Sequence, residues 1–449
     1  MDGGATAEHH EGKGRLDLTF TPADRKVRVP PNVMLFDAAS WNGIAIDSTC
    51  GGHGTCRKCK VRVDEGVAPV TSLDTRAFTT DELRDGWRLA CRVEVVSDLR
   101  VEVPPLLTRP KAATVGVGRK VILRPAVQKR FVELTEPTLA DQATDVERLL
   151  AQLDDLEPRA ELAVVRTLGK TLRANDYRVT AVVVDDVLVA VEPGDTTERL
   201  FGVAIDLGTT TVVATLLDLA TGAPVAVRSM LNSQQPFGAD VITRISAVMI
   251  NPDALAELTR LAHEALDGLV GEVCTEGGVA RDEVYEIAIA GNATMTHLVL
   301  GIDPEPLGVA PFIMSARHFP EVLASDVGVH AHPRARAVIF PAFGAYVGGD
   351  IVAGMLASGM DRDPRLRLFL DIGTNCEVVL GSNERLWATA APAGPAFEGA
   401  AIRCGMRAAA GAIETVRLTD EGVEIGVIDD AEPRGLCGSG LVDAVAELV

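Results

Sequence analysis

Phe201-Gly-Val-Ala-Ile-Asp-Leu-Gly-Thr-Thr-Thr-Val-Val-Ala-Thr215 is an apolar run that enters a Gly/Thr corner and leaves it as a second apolar run. The pattern predicts two strands joined by a tight turn. Gly208 lets the backbone approach an anion closely, and Asp206 is placed to hold a hydrated Mg²⁺. The hydroxyl and N–H groups of Thr209–Thr211 can surround phosphate oxygens. Taken alone, the stretch fits a plain β-turn in a large α/β domain equally well.

A second copy of this corner lies further along the chain. Leu368-Phe-Leu-Asp-Ile-Gly-Thr-Asn-Cys-Glu-Val-Val-Leu380 repeats the incoming strand, the turn and the outgoing strand. The Asp, the Gly and the first Thr of the earlier stretch correspond in this copy to Asp371, Gly373 and Thr374. Two such corners that face each other can clamp a phosphate chain from both sides, so the repeat favours a nucleotide site. We call residues 206–211 the first corner and residues 371–375 the second corner.

Length and composition set limits on the class of protein. A chain of 449 residues is longer than one core usually supports, so about two to four domains are expected. The net charge of −20 argues against a general binder of nucleic acid or anionic membranes. The sequence lacks an uninterrupted apolar run of about 18 residues, so no membrane span is expected. Residues 1–14 are polar and lack the apolar core of a secretory signal, which predicts a loose tail on a cytoplasmic protein.

The N-terminal segment reads as short strands around one helix, a small mixed unit of β-grasp type. The expected elements are strands at Leu16–Phe20, Lys26–Val29, Cys59–Val63 and Arg92–Val96, with a helix at Val33–Trp41.

A cysteine loop lies inside this unit: Cys50-Gly-Gly-His-Gly-Thr-Cys56-Arg-Lys-Cys59, followed by Cys91. A [2Fe–2S] cluster needs four thiolates, and a Gly-rich loop can fold around it with N–H groups directed at the sulfurs. Zinc is the main rival, but structural zinc sites usually present two C-x2-4-C pairs and this loop holds one. A disulfide framework does not suit a chain without a secretion signal. The spacing therefore favours a cluster.

The segment resembles a ferredoxin of the adrenodoxin or plant-type class. The resemblance covers the first quarter of the chain. The interval between the first two cysteines is one residue longer than the plant-type C-x4-C spacing, as in adrenodoxin-like members. Arg57 stands where several relatives have Gly, which bears on how the loop is covered or docked.

Residues 109–132 carry seven Lys and Arg residues and no acid. A solvated linker is the simpler interpretation, and an electrostatic contact with an acidic partner is the alternative. After it, two amphipathic helices and a hairpin predict a small α+β domain. The expected division of the chain is a disordered tail over 1–14, a ferredoxin-like domain over 15–108, a basic linker over 109–135, a middle α+β domain over 136–198 and a nucleotide-binding domain over 199–449.

Gly438-Ser-Gly440 opens a helix and offers free N–H groups with room for a flat base or ribose. An N-capped core helix is the alternative. Together with the two corners, the set resembles the acetate and sugar kinase/Hsp70/actin superfamily, in which the nucleotide lies between two phosphate loops and an adenosine loop. The chain reaches Val449 inside an apolar helix with no capping signal, so we expect this domain to continue in the natural protein.

The combination of modules resembles the reductive activators of corrinoid proteins, also described as activating enzymes of corrinoid-dependent O-demethylases and methyltransferases. The resemblance rests on these segments: Ala290-Gly-Asn-Ala-Thr-Met-Thr-His297, Leu370-Asp-Ile-Gly-Thr-Asn375, Gly394-Pro-Ala-Phe-Glu-Gly-Ala400 and Gly435-Leu-Cys-Gly-Ser-Gly440. It implies an ATP-hydrolysing iron–sulfur reductase that returns cob(II)alamin to cob(I)alamin. The implied partners are a corrinoid protein of a methyltransferase system and an upstream electron donor, with no nucleic acid and no membrane, and a homodimer is left open.

The resemblance also implies roles for individual residues. The expected cofactors are a [2Fe–2S] cluster, ATP and Mg²⁺. The cluster ligands are Cys50, Cys56, Cys59 and Cys91. The catalytic carboxylates that position MgATP are Asp206 and Asp371. The nucleotide-binding residues are Gly208, Thr209, Thr210, Thr211, Gly291, Asn292, Gly373, Thr374, Asn375, Gly438, Ser439 and Gly440.

Two other functions fit the same residues. A small-molecule kinase of the same superfamily would use the two corners to bind ATP, although a kinase has no evident use for a redox cluster. A redox-sensing electron-transfer module could bind ATP without hydrolysing it.

Overall fold

A computed structural model describes residues 15–22, 24–42, 44, 46–48, 57–104, 123–238, 240–373, 375–392, 402, 404–406, 408–419 and 422–449. The predicted cluster ligands Cys50 and Cys56, the predicted phosphate ligand Thr374, and the Gly-rich segment at 394–400 lie outside these residues.

The N-terminal unit is a β-grasp. Its sheet has the strand order β2-β1-β5-β3-β4, with β1 antiparallel to β2 and parallel to β5. Leu18 and Phe20 of β1, Leu35 of α1 and Val101 of β5 are fully buried between the sheet and the helix. The elements are β1 Leu16–Thr21, β2 Arg25–Val29, α1 Leu35–Trp41, β3 Lys60–Glu65, α2 Asp74–Ala77, α3 Thr80–Arg84, β4 Trp87–Leu89 and β5 Leu99–Glu102.

The strand predicted at Arg92–Val96 was wrong. The chain makes a 3-10 turn at Ala90–Arg92, and the residues after it form only a bridge to the segment before α1. In that bridge the Leu35 N–H donates to the Val93 carbonyl at 2.8 Å. The physical reason is the turn itself, because it brings Cys91 back beside Cys59 where a continuous strand would carry it away.

The middle unit packs one face of its sheet against a long helix. The sheet has the order β6-β8-β9-β7, and Leu168 and Leu172 of α5 are buried with Val179 and Leu188 of the hairpin. The elements are β6 Val127–Glu133, α4 Asp145–Leu150, β7 Arg159–Ala160, α5 Leu162–Ala174, β8 Arg178–Val184 and β9 Val187–Pro193.

Strand β6 lies inside the range that was expected to be a linker. It pairs along its whole length with β8, and its first four positions alternate between buried and half-buried although two of them are basic. Lys129 is not a free basic side chain, since its ammonium donates to the Glu192 carboxylate at 2.7 Å in a buried pair. The middle unit therefore begins no later than Val127, and residues 109–122 of the basic stretch lie outside the described residues.

The first half of the C-terminal unit is built on a mixed sheet with the order β12-β11-β10-β13-β15-β14. Strands β10, β11 and β12 form an antiparallel meander, and β13 and β15 extend it in parallel from β10. Leu258, Leu266 and Val270 of the long helix α7 are buried against this sheet. The elements are β10 Phe201–Leu207, β11 Thr211–Asp218, β12 Pro224–Leu231, α6 Val241–Ile250, α7 Asp253–Gly277, β13 Val284–Gly291, α8 Ala293–Val299, α9 Glu305–Gly308, β14 Val322–Leu323, β15 Arg336–Ile339 and α10 Gly349–Ser358.

The second half opens with the same meander, in the order β16-β17-β18, followed by a sheet with the order β20-β19-β21. Helix α11 packs on β19. The elements are β16 Arg367–Ile372, β17 Asn375–Gly381, β18 Leu386–Pro392, β19 Ala412–Thr419, β20 Gly422–Val427, β21 Gly435–Leu436 and α11 Gly438–Leu448.

Polar contacts join the middle unit to the first half. The Tyr285 hydroxyl donates to the Glu192 carboxylate at 2.6 Å, Arg336 donates to Asp185 at 3.0 Å, and Arg334 pairs with Glu161. Within the part of the chain that the structure describes, no helix is both long and apolar enough to cross a bilayer.

Candidate nucleotide cleft and cluster loop

The first corner is a tight hairpin between β10 and β11. The Gly208 N–H donates to the Thr211 carbonyl at 3.1 Å and closes the turn. A Cβ on Gly208 would lie 2.5 Å from that same carbonyl oxygen, so the position accepts only glycine without a shift of the backbone. Asp206, at the end of β10, pairs in register with Val213 on one side and Ala290 on the other. The strand therefore delivers its carboxylate to the edge of the sheet where the hairpin turns.

Side chains from neighbouring segments hold this corner in place. The Asn232 amide donates to the Gly208 carbonyl at 2.8 Å, and the Asn232 N–H donates to the Thr210 carbonyl at 2.9 Å. The Asn292 amide donates to the Thr209 hydroxyl at 2.9 Å. Gly291 lies against the same strand, since a Cβ there would be 2.8 Å from the Leu207 carbonyl. The structure thus brings the predicted residues Gly291 and Asn292 to the first corner.

The second corner joins β16 to β17. Ile372 pairs with Cys376 across it, and a Cβ on Gly373 would be 3.3 Å from the Asn375 carbonyl, a tight contact that a small shift relieves. Asn375 lines a cavity of about 580 Å³ together with Asn292 and Glu377. Because Asn292 also contacts the first corner, this cavity lies beside both corners.

Four carboxylates from the two halves influence one another in the cleft. Asp206 is exposed to water, but protein atoms crowd its carboxylate enough that desolvation, with the charges of Asp350 and Asp371, raises its pKa to about 6. Burial, with Asp350 and Asp371, raises the pKa of Glu377 to about 7. Burial is also the first cause of the raised pKa of Asp350 and of Asp371. The two predicted catalytic carboxylates therefore face the same cleft.

These carboxylates are suited to a hydrated cation. Among the described residues, no three His, Cys, Asp or Glu side chains are arranged as a complete metal ligand set. Mg²⁺ is usually held by one or two carboxylates while it keeps several waters and bridges substrate phosphates. A cation bound there would also relieve the repulsion that adds to burial in raising the pKa values of Asp206 and Glu377. The donor set fits Mg²⁺ delivered with a nucleotide.

The predicted adenosine segment begins helix α11. A Cβ on Gly440 would lie 2.1 Å from the Ile413 carbonyl, so this glycine allows the helix to pack closely on β19. Cys437 and Ser439 make a side-chain contact of 3.2 Å. Gly438 is half-buried and Ser439 is exposed. Packing explains Gly440, and the adenosine role of the segment stays a prediction.

Two of the four predicted cluster cysteines lie among the described residues. Cys59 and Cys91 are both buried, and their sulfur atoms are 3.2 Å apart. That distance is far longer than a disulfide bond of about 2.05 Å. It is near the separation of about 3.8 Å for two thiolates on one tetrahedral metal with bonds of about 2.3 Å. The pair fits two ligands of one iron in a [2Fe–2S] cluster.

Several residues of the cleft were not singled out in the sequence. Glu377 carries a signal, because it interrupts the apolar run of an outgoing strand, and Asp350 follows a Gly-Gly pair at a helix start. Asn232 has no sequence signal. Arg244 is a cation on the apolar face of α6, and its guanidinium donates to the Thr209 carbonyl at 2.6 Å.

Family models match the chain along most of its length. Residues 18–96 match the 2Fe-2S iron-sulfur cluster binding domain, and residues 116–198 match the RACo linker region. Residues 201–363 match the RACo middle region, and residues 365–449 match the C-terminal ASKHA domain of RACo. The expected order of a ferredoxin domain, a middle unit and an actin/Hsp70-like domain is confirmed.

Relatives of known kind agree with these matches. The corrinoid activation enzyme RamQ of Eubacterium limosum is 28% identical over 438 residues, which cover 96% of this chain and 70% of that protein. One component of the Na⁺-translocating NADH-quinone reductase of Klebsiella pneumoniae subsp. pneumoniae is 37% identical over 82 residues, 18% of this chain and 20% of that protein.

A solved structure, described as a reductive activator for a corrinoid, iron-sulfur protein, matches with a TM-score of 0.69 and 36% identity. The match covers 97% of this chain and 72% of that one. The resemblance seen in the sequence is therefore confirmed, and the chain belongs to the family of reductive activators of corrinoid proteins.

Proposed function

We propose that this chain reduces the cob(II) state of a corrinoid protein to cob(I) by one electron, and that MgATP hydrolysis in the cleft drives this step. Membership of the activator family supports the general activity. The ATP dependence, the redox states and the roles of single residues are the parts proposed here.

The observation that carries the proposal is direct contact between the cluster-binding unit and both halves of the nucleotide unit. On one side the Ser40 hydroxyl of α1 donates to the Pro236 carbonyl in the first half. On the other side the Lys58 ammonium, from the cluster loop, donates to the Gly405 carbonyl in the second half at 2.6 Å. A change in the angle between the halves would therefore alter the contacts, and with them the position, of the cluster loop.

Two backbone hydrogen bonds link the segment that Lys58 contacts to the strand just before the predicted adenosine segment. The Leu436 N–H donates to the Cys404 carbonyl at 2.8 Å, and the Met406 N–H donates to the Leu436 carbonyl at 2.8 Å. Gly405 lies between these bonds, and Leu436 lies two residues before α11. Lys58 itself is the residue before the predicted ligand Cys59. This arrangement supports coupling between nucleotide state and cluster loop.

In the cleft, Asp206 and Asp371 would hold the hydrated Mg²⁺ of MgATP from opposite halves, and the corner N–H groups would bind phosphate oxygens. Phosphoryl transfer to water needs positioning and charge stabilisation more than covalent chemistry. Because the pKa values of both carboxylates are raised, a bound cation would favour their ionised forms. We propose Mg²⁺ as that cation.

A [2Fe–2S] cluster held by Cys50, Cys56, Cys59 and Cys91 would supply one-electron storage and transfer. The burial of Cys59 and Cys91 keeps that side of the loop away from water. Hydrolysis can favour reduction only to the extent that the ATP and ADP states bind the reduced and oxidised partner differently. A tenfold difference in affinity corresponds to about 59 mV for one electron.

The test is an anaerobic assay with the reconstituted chain, a one-electron chemical reductant and a corrinoid protein in the cob(II) state. We expect cob(I) absorbance to appear with MgATP and not with a non-hydrolysable analogue, and we expect ATP turnover to rise when the corrinoid protein is added. Cys59→Ser should abolish cob(I) formation while ATP binding persists. Asp206→Asn should lower turnover by on the order of 100-fold while the cluster spectrum persists.

Other outcomes of the same assay would overturn the proposal. Phosphorylation of a small molecule would identify a kinase, and ATP binding without turnover would identify a sensor module. Cob(I) formation at the same rate without nucleotide would remove the ATP step. The upstream electron donor, a cytoplasmic location and a homodimer stay predictions.

A further inference from the structure

Arg244 is a fully buried cation behind the first corner. It lies on α6 and is 0% exposed. Its Nε donates to the Gly238 carbonyl at 3.0 Å, and Nη1 donates to the Gln234 side-chain oxygen at 3.0 Å and to the Met295 sulfur at 3.0 Å. Nη2 donates to the Thr209 carbonyl at 2.6 Å. All of these acceptors are uncharged.

No carboxylate within the described ranges forms an ion pair with this guanidinium. The carboxylate of Asp240 interacts electrostatically with the Arg244 guanidinium, but both of its oxygens accept hydrogen bonds that cap α6. They accept from the Thr243 N–H at 2.8 Å and from the Thr243 hydroxyl at 2.9 Å. Burial lowers the pKa of Arg244 to about 9, so the group is still charged at neutral pH.

A buried charge without an opposite charge is costly. Such a group is consistent with an anion that binds nearby and completes the electrostatic balance. The first corner is the place for that anion, because Arg244 contacts its backbone directly.

The geometry of the peptide shows how Arg244 would act on the anion. In a trans peptide the carbonyl and the following N–H point in opposite directions. The Thr209 carbonyl points at Arg244, so the Thr210 N–H points to the opposite side of the corner. In the same way the Gly208 carbonyl points at Asn232, which directs the Thr209 N–H away from Asn232. Neither of these N–H groups donates to another described residue.

We propose that Arg244 is the positioning residue of the first corner: it orients the Thr209–Thr210 peptide toward a nucleotide polyphosphate and supplies a buried positive charge that complements it. The inference rests on the nucleotide site of the proposed function but not on corrinoid reduction. Donation from a charged group polarises the peptide, so its N–H becomes a stronger donor to phosphate.

The test measures binding of MgATP and of magnesium pyrophosphate to wild-type chain, R244Q, R244K and a control. The control is R260Q, because Arg260 lies on the adjacent helix α7 but is exposed and paired with Glu257 and Glu264. We expect R244Q to weaken both ligands by about 10- to 100-fold, the range for a hydrogen bond to a charged group. R244K should recover part of the loss, and R260Q should bind as wild type does.

Thermal unfolding without ligand separates a positioning role of Arg244 from a purely structural role. If Arg244 only stabilises the fold, R244Q will have a lower unfolding midpoint but the folded protein will bind ligand with unchanged affinity, and that result would overturn the inference. Wild-type affinity in both R244Q and R244K would overturn it too. If R244Q does not fold, R244K serves as the test, since weaker ligand binding in folded R244K supports the role. Failure of the wild type to bind either ligand would overturn the inference, whereas binding without cob(I) formation would overturn only the proposed function.

Discussion

The two corners have nearly the same sequence pattern but very different surroundings. The apolar residues that lead into the first corner are each 2% exposed: Val203, Ile205 and Leu207. Their counterparts before the second corner are 60%, 52% and 58% exposed: Leu368, Leu370 and Ile372. Strand β10 lies in the middle of its sheet, whereas β16 is an edge strand among the described residues.

The polar supports differ in the same direction. The first corner receives side-chain hydrogen bonds from Asn232, Arg244 and Asn292. For the second corner, the described residues show a 3.7 Å contact between the Cys376 thiol and the Gly373 carbonyl. The same local sequence pattern can thus form a buried corner held by several side-chain hydrogen bonds or a corner on an exposed edge strand, depending on what packs around it. We expect the first corner to be preorganised and the second to respond more to ligand.

The largest expected effect is on stability. Ile205→Ala removes a buried side chain from the sheet centre and should lower the free energy of unfolding by about 2–5 kcal/mol. Leu370→Ala, at the matching position of the second corner, should change it by less than about 1 kcal/mol because its side chain is half exposed. Urea unfolding of both variants measures the difference. Equal losses would contradict the contrast between the corners.

The next effect is on ligand binding. Gly208→Ala places a methyl group 2.5 Å from the Thr211 carbonyl, so the first corner must distort. MgATP affinity should fall by about 10- to 100-fold, which corresponds to strain of about 1–3 kcal/mol. Gly373→Ala meets its nearest atom at 3.3 Å and should cost a few-fold at most. Calorimetric titration checks both variants, and a larger loss for Gly373→Ala would reverse the assignment.

A smaller effect follows from the pKa of Asp206, which is about 6 in the folded chain against about 3.9 when unfolded. The folded state binds this proton more tightly, so the group's contribution to stability increases as pH falls from about 7 to about 4 and is lost as pH rises through about 6. Without ligand, Asp206→Asn should therefore raise the unfolding midpoint at pH 7 and flatten its pH dependence. Asp371→Asn should act in the same direction.

MgATP provides the control for this prediction. Added to the wild type, it should stabilise the fold, because the cation compensates the carboxylate, and the same addition should do less for Asp206→Asn. If Asp206→Asn lowers the ligand-free midpoint at pH 7, the raised pKa is not the dominant effect at that position.

The smallest expected effect is on backbone opening. On addition of MgATP, amide hydrogen exchange should slow more in β16 and β17 than in β10 and β11, because the buried sheet centre is already protected. Mass spectrometry of peptides from both hairpins measures the change in one experiment. Equal protection, or slowing confined to β10 and β11, would contradict the view that the second corner is the responsive one.

Much of this arrangement could be predicted from short stretches of sequence. The two strand-corner-strand patterns and the spacing of Cys50, Cys56 and Cys59 depend on neighbours within about ten residues, and local patterns of that kind can be interpreted without a structure. The extent of the basic linker was not predictable in this way. Lys129 is a basic residue by composition, and only its pairing with Glu192 makes it part of a buried sheet.

The sequence by itself determined the two strand-corner-strand hairpins and the presence of a ferredoxin module and an actin/Hsp70-like module, because glycine conformation, strand alternation and motif spacing are local properties; the phosphate role of the corners and the set of four cluster cysteines stay predictions. Only the tertiary structure decided that Arg244 lies behind the first corner, that Asp350 and Glu377 join the cleft, and that Lys58 contacts Gly405. These pairs are separated by tens to hundreds of residues, and their closeness results from how sheets and helices pack, which no short stretch of sequence encodes.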